Sequence, residues 1–558
     1  MSGSFRASRP LALIIAITLL SSAAISAQTI AITSPADQSH RPISGASTLP
    51  IQWQLNTSCT FITNIMEVYV NGRVQACAGD CSGSGGTLTL DPGNFYGDCA
   101  YTVQLKATVR REPQCNPITL ITIYSPPITL YDSNSPYSGC EGICAAPEMG
   151  GPVNVATGKM WYQQEDLRIE GPLPLVFARR YVHKNASSSG PLGYGWTHAY
   201  NWTLSFPTGQ VVLRNNEGRD IRFTALVSGG YAVNRRHHLT LTTITGGYRV
   251  TAKDQTKYNF DSSGKLTSIV DRIGNAVTLA YDGSNRLSTI TDLFGRAFTL
   301  GYDGSNRIDF LADGTRSVTY GYNANGDLDT VIDATGKTWT CGYDGTTHRL
   351  ASVTDPLTHL VEGFTYDGSN RVQTFYRQGG KEGLTFNYAS ATQTQVTDSL
   401  SHVTTFTLDQ YNGVATAVTG PGCTTCGQGT NESYQYDGYL NRTQITDGNG
   451  NVTRQTFDTS YWGDMLTRTE AFGTALARTT TYTYHSTYHF VASVTVPSVD
   501  TGGQNRVRTY TYDAANGNLL TETRNGYSNG SPFSYTTTFT YNGHGLPLTI
   551  NGPRTDVT

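Results

Sequence analysis

Along the second half of the chain, apolar and polar residues alternate in short runs, and each run ends at a turn signal. Leu287-Ser288-Thr289-Ile290 and Phe298-Thr299-Leu300-Gly301-Tyr302 are two such runs. A period of two places one set of side chains on a face that packs and the other on a wetted face. Asp and Gly punctuate the runs at Asp271…Gly274, Asp292…Gly295, Asp333…Gly336 and Asp447…Gly450. The Asp side chain bonds its own turn backbone, and the Gly accepts the positive φ that such turns need. Between these turns an aromatic followed by Asp or Asn recurs: Phe260, Tyr281, Tyr302, Tyr322, Tyr343 and Tyr366, at spacings of 21, 21, 20, 21 and 23 residues. A period near 21 with two turns predicts one β-hairpin per repeat. The repeat anchors are Tyr281-Asp282, Tyr302-Asp303 and Tyr366-Asp367, followed in the first two by Gly-Ser-Asn-Arg and an aliphatic, Leu287 or Ile308, and in the third by the same text ending on Val372. The period loosens after Tyr388 and returns at Tyr436-Asp437. One hairpin cannot bury its face alone, so the hairpins must stack. The fold class is all-β, and the array spans 211–558.

The first part of the mature chain reads differently. Strand candidates at 29–33, 49–55, 65–70, 87–90, 101–109 and 118–124 are separated by turns, among them the hairpin pair Asn71-Gly72. Several short strands within about 100 residues predict a β-sandwich over 28–127. This pattern resembles a bacterial immunoglobulin-like (Ig-like) module. A Pro-, Gly- and Cys-rich linker over 128–146 follows. Next, over 147–210, come Gly151-Pro152-Val153-Asn154-Val155-Ala156-Thr157-Gly158, Asp166-Leu167, Gly171-Pro172-Leu173-Pro174, Arg179-Arg180-Tyr181 and Gly193-Tyr194-Gly195-Trp196. Prolines on both sides of Leu173 favour extended backbone, and the glycine pair permits a turn that sets Trp196 against a core.

These residues closely resemble the entry module of RHS-type proteins, and the array resembles YD repeats, together over about three quarters of the chain. The resemblance implies stacked hairpins wound into a spiral sheet that encloses a shell. It also implies a variable C-terminal toxin as cargo, delivered by the full-length protein. The array is expected to be incomplete, because it stops at Thr558 where a new strand would begin.

The remaining features set the compartment. Arg6 and Arg9 precede an apolar run over 11–20 and small residues up to Ala27, the arrangement of a secretory signal peptide over 1–27. The run is too short to span a membrane, so no span is expected after cleavage. Ten cysteines fit an oxidising compartment, with seven between Cys59 and Cys144. A net charge of -3 calls for neither nucleic acid nor an anionic membrane as partner.

Candidate chemistry is sparse. Gly526-Tyr527-Ser528-Asn529-Gly530 fits the hydrolase G-x-S-x-G form but lacks the flanking strand and helix. Gly336-Lys337-Thr338 ends like a phosphate loop without its first glycine. Cys423-Thr424-Thr425-Cys426 reads as a disulfide first, ahead of half a metal site or a redox pair. Arg235-Arg236-His237-His238 reads as a solvated turn, and Asp447-Gly448-Asn449-Gly450-Asn451 as a turn rather than a calcium loop. No catalytic residue, cofactor or metal is assigned. The expected function is a secreted or cell-surface, non-enzymatic scaffold that carries a toxin. The alternatives are an adhesin or carbohydrate-binding protein contacting surface glycans or proteins, and a hydrolase hidden in the irregular stretch 388–421.

Overall fold

The computed structural model describes residues 147–226, 228–410, 413–421, 431–459, 462–498, 504–528 and 531–553, together with the backbone of nine strands between Thr29–Ser34 and Ile128–Asp132. The signal-peptide reading, the Cys423/Cys426 reading and the N-terminal cysteine cluster lie outside the described residues. The chain divides into two compact units, one of 1–143 with 205–212 and 221–234, the other of 144–204, 213–220 and 235–558. Among the described residues there is no α-helix; only three short 3-10 turns, His183–Asn185, Arg235–His237 and Gln378–Gly380, interrupt the strands.

The N-terminal strands form two sheets. Thr29–Ser34, Leu49–Asn56 and Gly85–Leu90 make an antiparallel three-stranded sheet. Ser39–Arg41, Ile128–Asp132, Ala100–Arg111, Phe61–Val70 and Arg73–Gln75 make a second sheet in that order, with Leu120–Tyr124 also paired to Ala100–Arg111. Val70 pairs with Arg73, the residues that flank the expected hairpin pair Asn71-Gly72 in the sequence. The stretch read as linker, 128–146, opens with the strand Ile128–Asp132, which pairs in parallel with Ser39–Arg41.

The array is a single 28-stranded sheet whose strands lie side by side in chain order, from Leu239–Ile244 to Pro547–Asn551. Each repeat is a hairpin, and its two turns lie on opposite edges of the sheet. At the aromatic-Asp turn the ladder slips by one residue in hairpin after hairpin: Ala280 faces Thr289 but Tyr281 faces Leu287, and Gly301 faces Phe310 but Tyr302 faces Ile308. An extra residue on one strand bends that strand and increases the local twist. The bulges recur on the edge of the aromatic-Asp turns, with one slip on the other edge at Val353/Thr354, so their bends largely add instead of cancelling, and the sheet coils. One face carries the apolar set, including Ile290, Phe298, Leu311, Val331, Val353 and Phe406, each 0–1% exposed. The opposite face is rich in threonine, and its hydroxyls pair across strands, as in Thr365 with Thr374 at 2.6 Å and Thr511 with Thr521 at 2.7 Å.

The coiling brings the two ends of the array together. The turns of the first hairpins bond the turns of hairpins 202 to 269 residues later. Arg236 donates to the carbonyls of Tyr439 and Gly438, Lys253 to Asp464 at 2.7 Å, Arg272 to the Asn516 carbonyl at 3.0 Å, and Asn275 to the His544 carbonyl at 3.0 Å. This corrects the solvated-turn reading of Arg235-Arg236-His237-His238. Arg235 stacks on the Tyr439 ring at 3.5 Å and donates to the Thr459 carbonyl, so the basic run is a clasp along this seam.

Candidate functional site

The repeat anchors form one bonding scheme applied many times. The Tyr302 hydroxyl reaches back to the preceding hairpin and donates to the Leu287 carbonyl at 2.7 Å, the first residue of that hairpin's second strand. Tyr281 does the same to Leu266 at 2.9 Å, Tyr366 to Leu350 at 2.5 Å and Tyr436 to Ala415 at 2.7 Å. Burial pushes the Tyr281 and Tyr302 phenols up to about 12, so they stay protonated donors. The neighbouring aspartate holds the turn. Asp303 accepts from the N–H groups of Ser305 and Arg307 and from the Arg307 guanidinium, all within 2.8–2.9 Å. Asp282, Asp367 and Asp437 repeat the pattern in their own turns. Burial works against the Asp303 charge, but these donors prevail and hold its carboxyl below the usual value. The arginine then reaches forward: Arg286 lies 4.5 Å from the Tyr302 ring and Arg307 4.1 Å from the Tyr322 ring. The hairpins that carry both residues are thus tied to the one before by tyrosine and to the one after by arginine.

The entry module is seated on this array. Its long hairpin, Trp161–Ile169 with Leu175–Val182, is joined by Trp196–His198. Along one edge of the array the module receives backbone N–H groups from the strands that open after the aromatic-Asp turns. Ile308 donates to the Pro191 carbonyl at 2.7 Å, Leu350 to the Tyr181 hydroxyl at 3.0 Å and Val372 to the Gly158 carbonyl at 2.8 Å. Tyr181 in turn donates to the His348 carbonyl at 2.8 Å, and the Trp196 indole N–H to the Tyr343 hydroxyl at 2.8 Å. At the tip of the hairpin, Arg296 and Arg316 of the opposite edge donate to the carbonyls of Glu170 and Arg168. The hairpin therefore crosses the full width of the sheet. Gly193 fits here because its φ is +87° and an added Cβ would meet the Gly326 carbonyl oxygen at 2.6 Å.

A buried ion pair lies under that hairpin. Arg179, 1% exposed, bonds Asp166, and Asp166 also accepts from the Tyr320 hydroxyl of the array at 2.8 Å. Burial pushes the Asp166 carboxyl up, with Arg179 and Tyr320 opposing. Burial also works against the charge on Arg179, but the Asp166 carboxylate overrides it and holds the guanidinium above its ordinary value. Cys341 beside them is free and buried, and burial pushes its thiol up to about 11, which makes it a poor nucleophile. Asp166 and Arg179 stand in the sequence motifs, but their pairing depends on the hairpin register, in which Arg179 faces Gln164.

The structure places the other candidates in hairpins. Ser528 ends the strand Leu519–Ser528 and pairs with Ser531, which excludes the strand-turn-helix setting of a nucleophile elbow. Asp333 accepts from the N–H groups of Thr335 and Lys337, so Gly336-Lys337-Thr338 is a repeat turn. Asp447 accepts from Asn449 and Asn451 in the same way. The stretch 388–421 is made of the regular strands Leu384–Ser390, Gln393–Asp398, Val403–Leu408 and Ala415–Thr419, so it holds no separate hydrolase fold among its described residues. Among the described residues, no group of three or more His, Cys, Asp or Glu side chains converges as a metal site. No helix of the described residues is long and apolar enough to cross a membrane.

Known proteins share parts of this chain. Residues 150–223 match the family described as a domain of unknown function, DUF6531, and residues 260–297 match the RHS repeat. The tRNA nuclease WapA of Bacillus subtilis (strain 168) is 28% identical over 209 residues, which is 36% of this chain and 9% of that protein. The tRNA3(Ser)-specific nuclease WapA of Bacillus spizizenii is 27% identical over 209 residues, with the same coverage. The chain thus matches about a tenth of the length of these relatives. The Photorhabdus luminescens Tc holotoxin pore aligns with 90% of this chain and 26% of its own, at 12% identity and a TM-score of 0.40. The crystal structure of TcdB2-TccC3-TEV aligns with 88% of this chain and 27% of its own, at 11% identity and a TM-score of 0.31. With an RHS repeat matched inside a sheet whose hairpins keep the same tyrosine and aspartate bonds, this chain carries an array of RHS/YD-type repeats.

Proposed function

We propose that this chain is a secreted, non-enzymatic scaffold, part of an RHS/YD-repeat shell that in the full-length protein encloses and delivers a C-terminal toxin. In this reading 1–27 is a signal peptide, 28–127 an Ig-like sandwich whose second sheet also takes Ile128–Asp132, the rest of 128–146 a linker to the entry module 147–210, and 211–558 the repeat array. The observation that supports it most is the seating of the entry module across the sheet, through Pro191, Tyr181 and Gly158. A module bonded to both edges of a coiled sheet braces a container and leaves the repeats themselves no chemistry to perform. The relatives named as tRNA nucleases contribute one point, that such a repeat stretch occurs in proteins with a toxic activity. In this protein the activity is expected on a segment beyond the repeats.

The adhesin and carbohydrate-binding alternative loses support at the residue level. Such a protein would make contact through the Ig-like module and the tyrosine-rich sheet exterior, yet the hydroxyls of the repeat tyrosines are already donated to backbone carbonyls. Limited proteolysis of the secreted gene product tests the proposal. The scaffold reading predicts a terminal domain that resists protease while the array is intact and is cut once the array is unfolded. A secreted product with no protected domain of that kind contradicts it.

A further inference from the structure

The face that is apolar and buried in the first part of the array runs on through the later strands, as the cross-strand pairs show. Val418 faces Glu432, Gln455 faces Arg468, Val494 faces Arg508, and Arg524 faces Tyr535. Its chemistry changes on the way. Where the entry module covers it, the face is aliphatic and phenylalanine-rich; past Glu432 it mixes arginine, tyrosine and glutamate with aliphatics and lies open. Tyr535 is 51% exposed, Leu548 65% and Ile550 58%.

Charge on this open face is concentrated. Arg508 stands directly opposite Arg524, and Arg506 follows on the same face two residues away. Like charges directly opposite each other destabilise a sheet. Among the described residues of these strands one carboxylate answers the three guanidiniums: Glu522, which accepts from Arg524 at 2.8 Å. Arg506 and Arg508 are exposed. Beside them, Phe533 and Tyr535 stack with ring centroids 5.0 Å apart. Arginine and tyrosine next to exposed aliphatics are the residues that carry binding energy at protein interfaces.

We infer that this face, centred on Arg506, Arg508 and Arg524, is a docking surface for an acidic polypeptide that also presents apolar side chains. The positive patch selects negative charge, although the chain as a whole carries -3. The exposed Leu520, Leu548 and Ile550 need apolar partners, which a nucleic acid or sulfated polysaccharide backbone does not offer. The inference rests on the scaffold reading and deepens it by giving the chemistry of what the sheet would hold.

Fluorescence anisotropy on the chain itself tests it, with a fluorescein-labelled peptide of glutamate and leucine as probe. Binding is expected to weaken as salt rises. Arg506→Glu with Arg508→Glu should lower affinity by about tenfold or more. Lys337→Glu, on an exposed repeat turn, should leave it unchanged. The milder Arg506→Ser with Arg508→Ser, checked for an unchanged melting curve, should weaken binding with the fold intact. Four results overturn the inference: no binding, equal binding of a lysine-leucine peptide, preference for heparin, or indifference to both double variants. Each is read on this chain alone and is independent of whether the secreted product holds a protected domain.

Discussion

Tyr302 shows how much of the fold one side chain can carry. Its ring sits under Arg286, and its hydroxyl closes on the previous hairpin. Tyr302→Phe keeps the ring and removes one hydrogen bond, so a loss of about 1 kcal/mol in urea unfolding is expected. Asp166→Asn is a harsher change, because it leaves the Arg179 charge buried without a counter-charge; a loss of about 3–5 kcal/mol is expected, read from the same denaturation curves. Buried histidines add a pH term. Burial lowers His198 to about 3 and His183 to about 4, so the folded chain keeps both neutral while the unfolded chain takes up protons below about 6.5. Stability is therefore complete above about pH 6.5 and falls as the pH drops toward 4, by about 1.4 kcal/mol per pH unit for each group. His198→Phe, which keeps the stack on Phe177 seen at 5.0 Å, should flatten the slope measured between pH 7 and 4.5, and an unchanged slope would assign the acid loss elsewhere. The turn role of the repeat aspartates was legible in sequence, since Asp bonds its local backbone wherever such a turn forms. The bonds from Tyr302 to Leu287 and from Asp166 to Tyr320 were not, because they join separate strands.

At the level of the element, alternation and turn residues located the strands well. All six candidates in 28–127 fall on strands, and so do the runs read in the array. Three strands escaped: Ser39–Arg41 and Arg73–Gln75 are three residues long with little apolar content, and Ile128–Asp132 follows a Pro-Pro pair that reads as a break. Loosened periodicity in 388–421 was misleading for a physical reason. The strands persist there, while the turns between them change length and the aromatic-Asp signature disappears. What sequence does not reveal is the bulge beside each repeat tyrosine, which shows only as a skipped partner in the ladder. The seat of the entry module was hidden too, since it depends on close backbone approach. Gly193→Ala brings a Cβ against the Gly326 carbonyl at a φ of +87°. Faster amide exchange at Ile308 and Leu350 is the expected result; protection equal to the native chain would mean that the module does not depend on this contact.

On the scale of the whole molecule, the account stands on the coil of the repeat sheet. Stacked hairpins gain stability mainly from their neighbours, so a long array could run on as an open ribbon. Here the bulges bend it until early turns meet late ones, through polar pairs such as Lys253 with Asp464, Arg272 with Asn516 and Asn275 with His544 and through ring contacts such as Arg235 on Tyr439. A seam of this kind holds a curved wall closed by specific pairing and leaves the apolar face free for the entry module. Cross-linking across the seam tests this most directly. Gln255 and Thr487 lie on its two sides, with the Gln255 amide 3.4 Å from the Thr487 carbonyl. In a chain carrying Gln255→Cys and Thr487→Cys, a short bis-maleimide cross-linker should join these two positions, and peptide mass spectrometry should recover the linked pair. A folded chain in which that pair never forms, under conditions where each thiol is accessible to alkylation, would contradict the coil and the scaffold built on it.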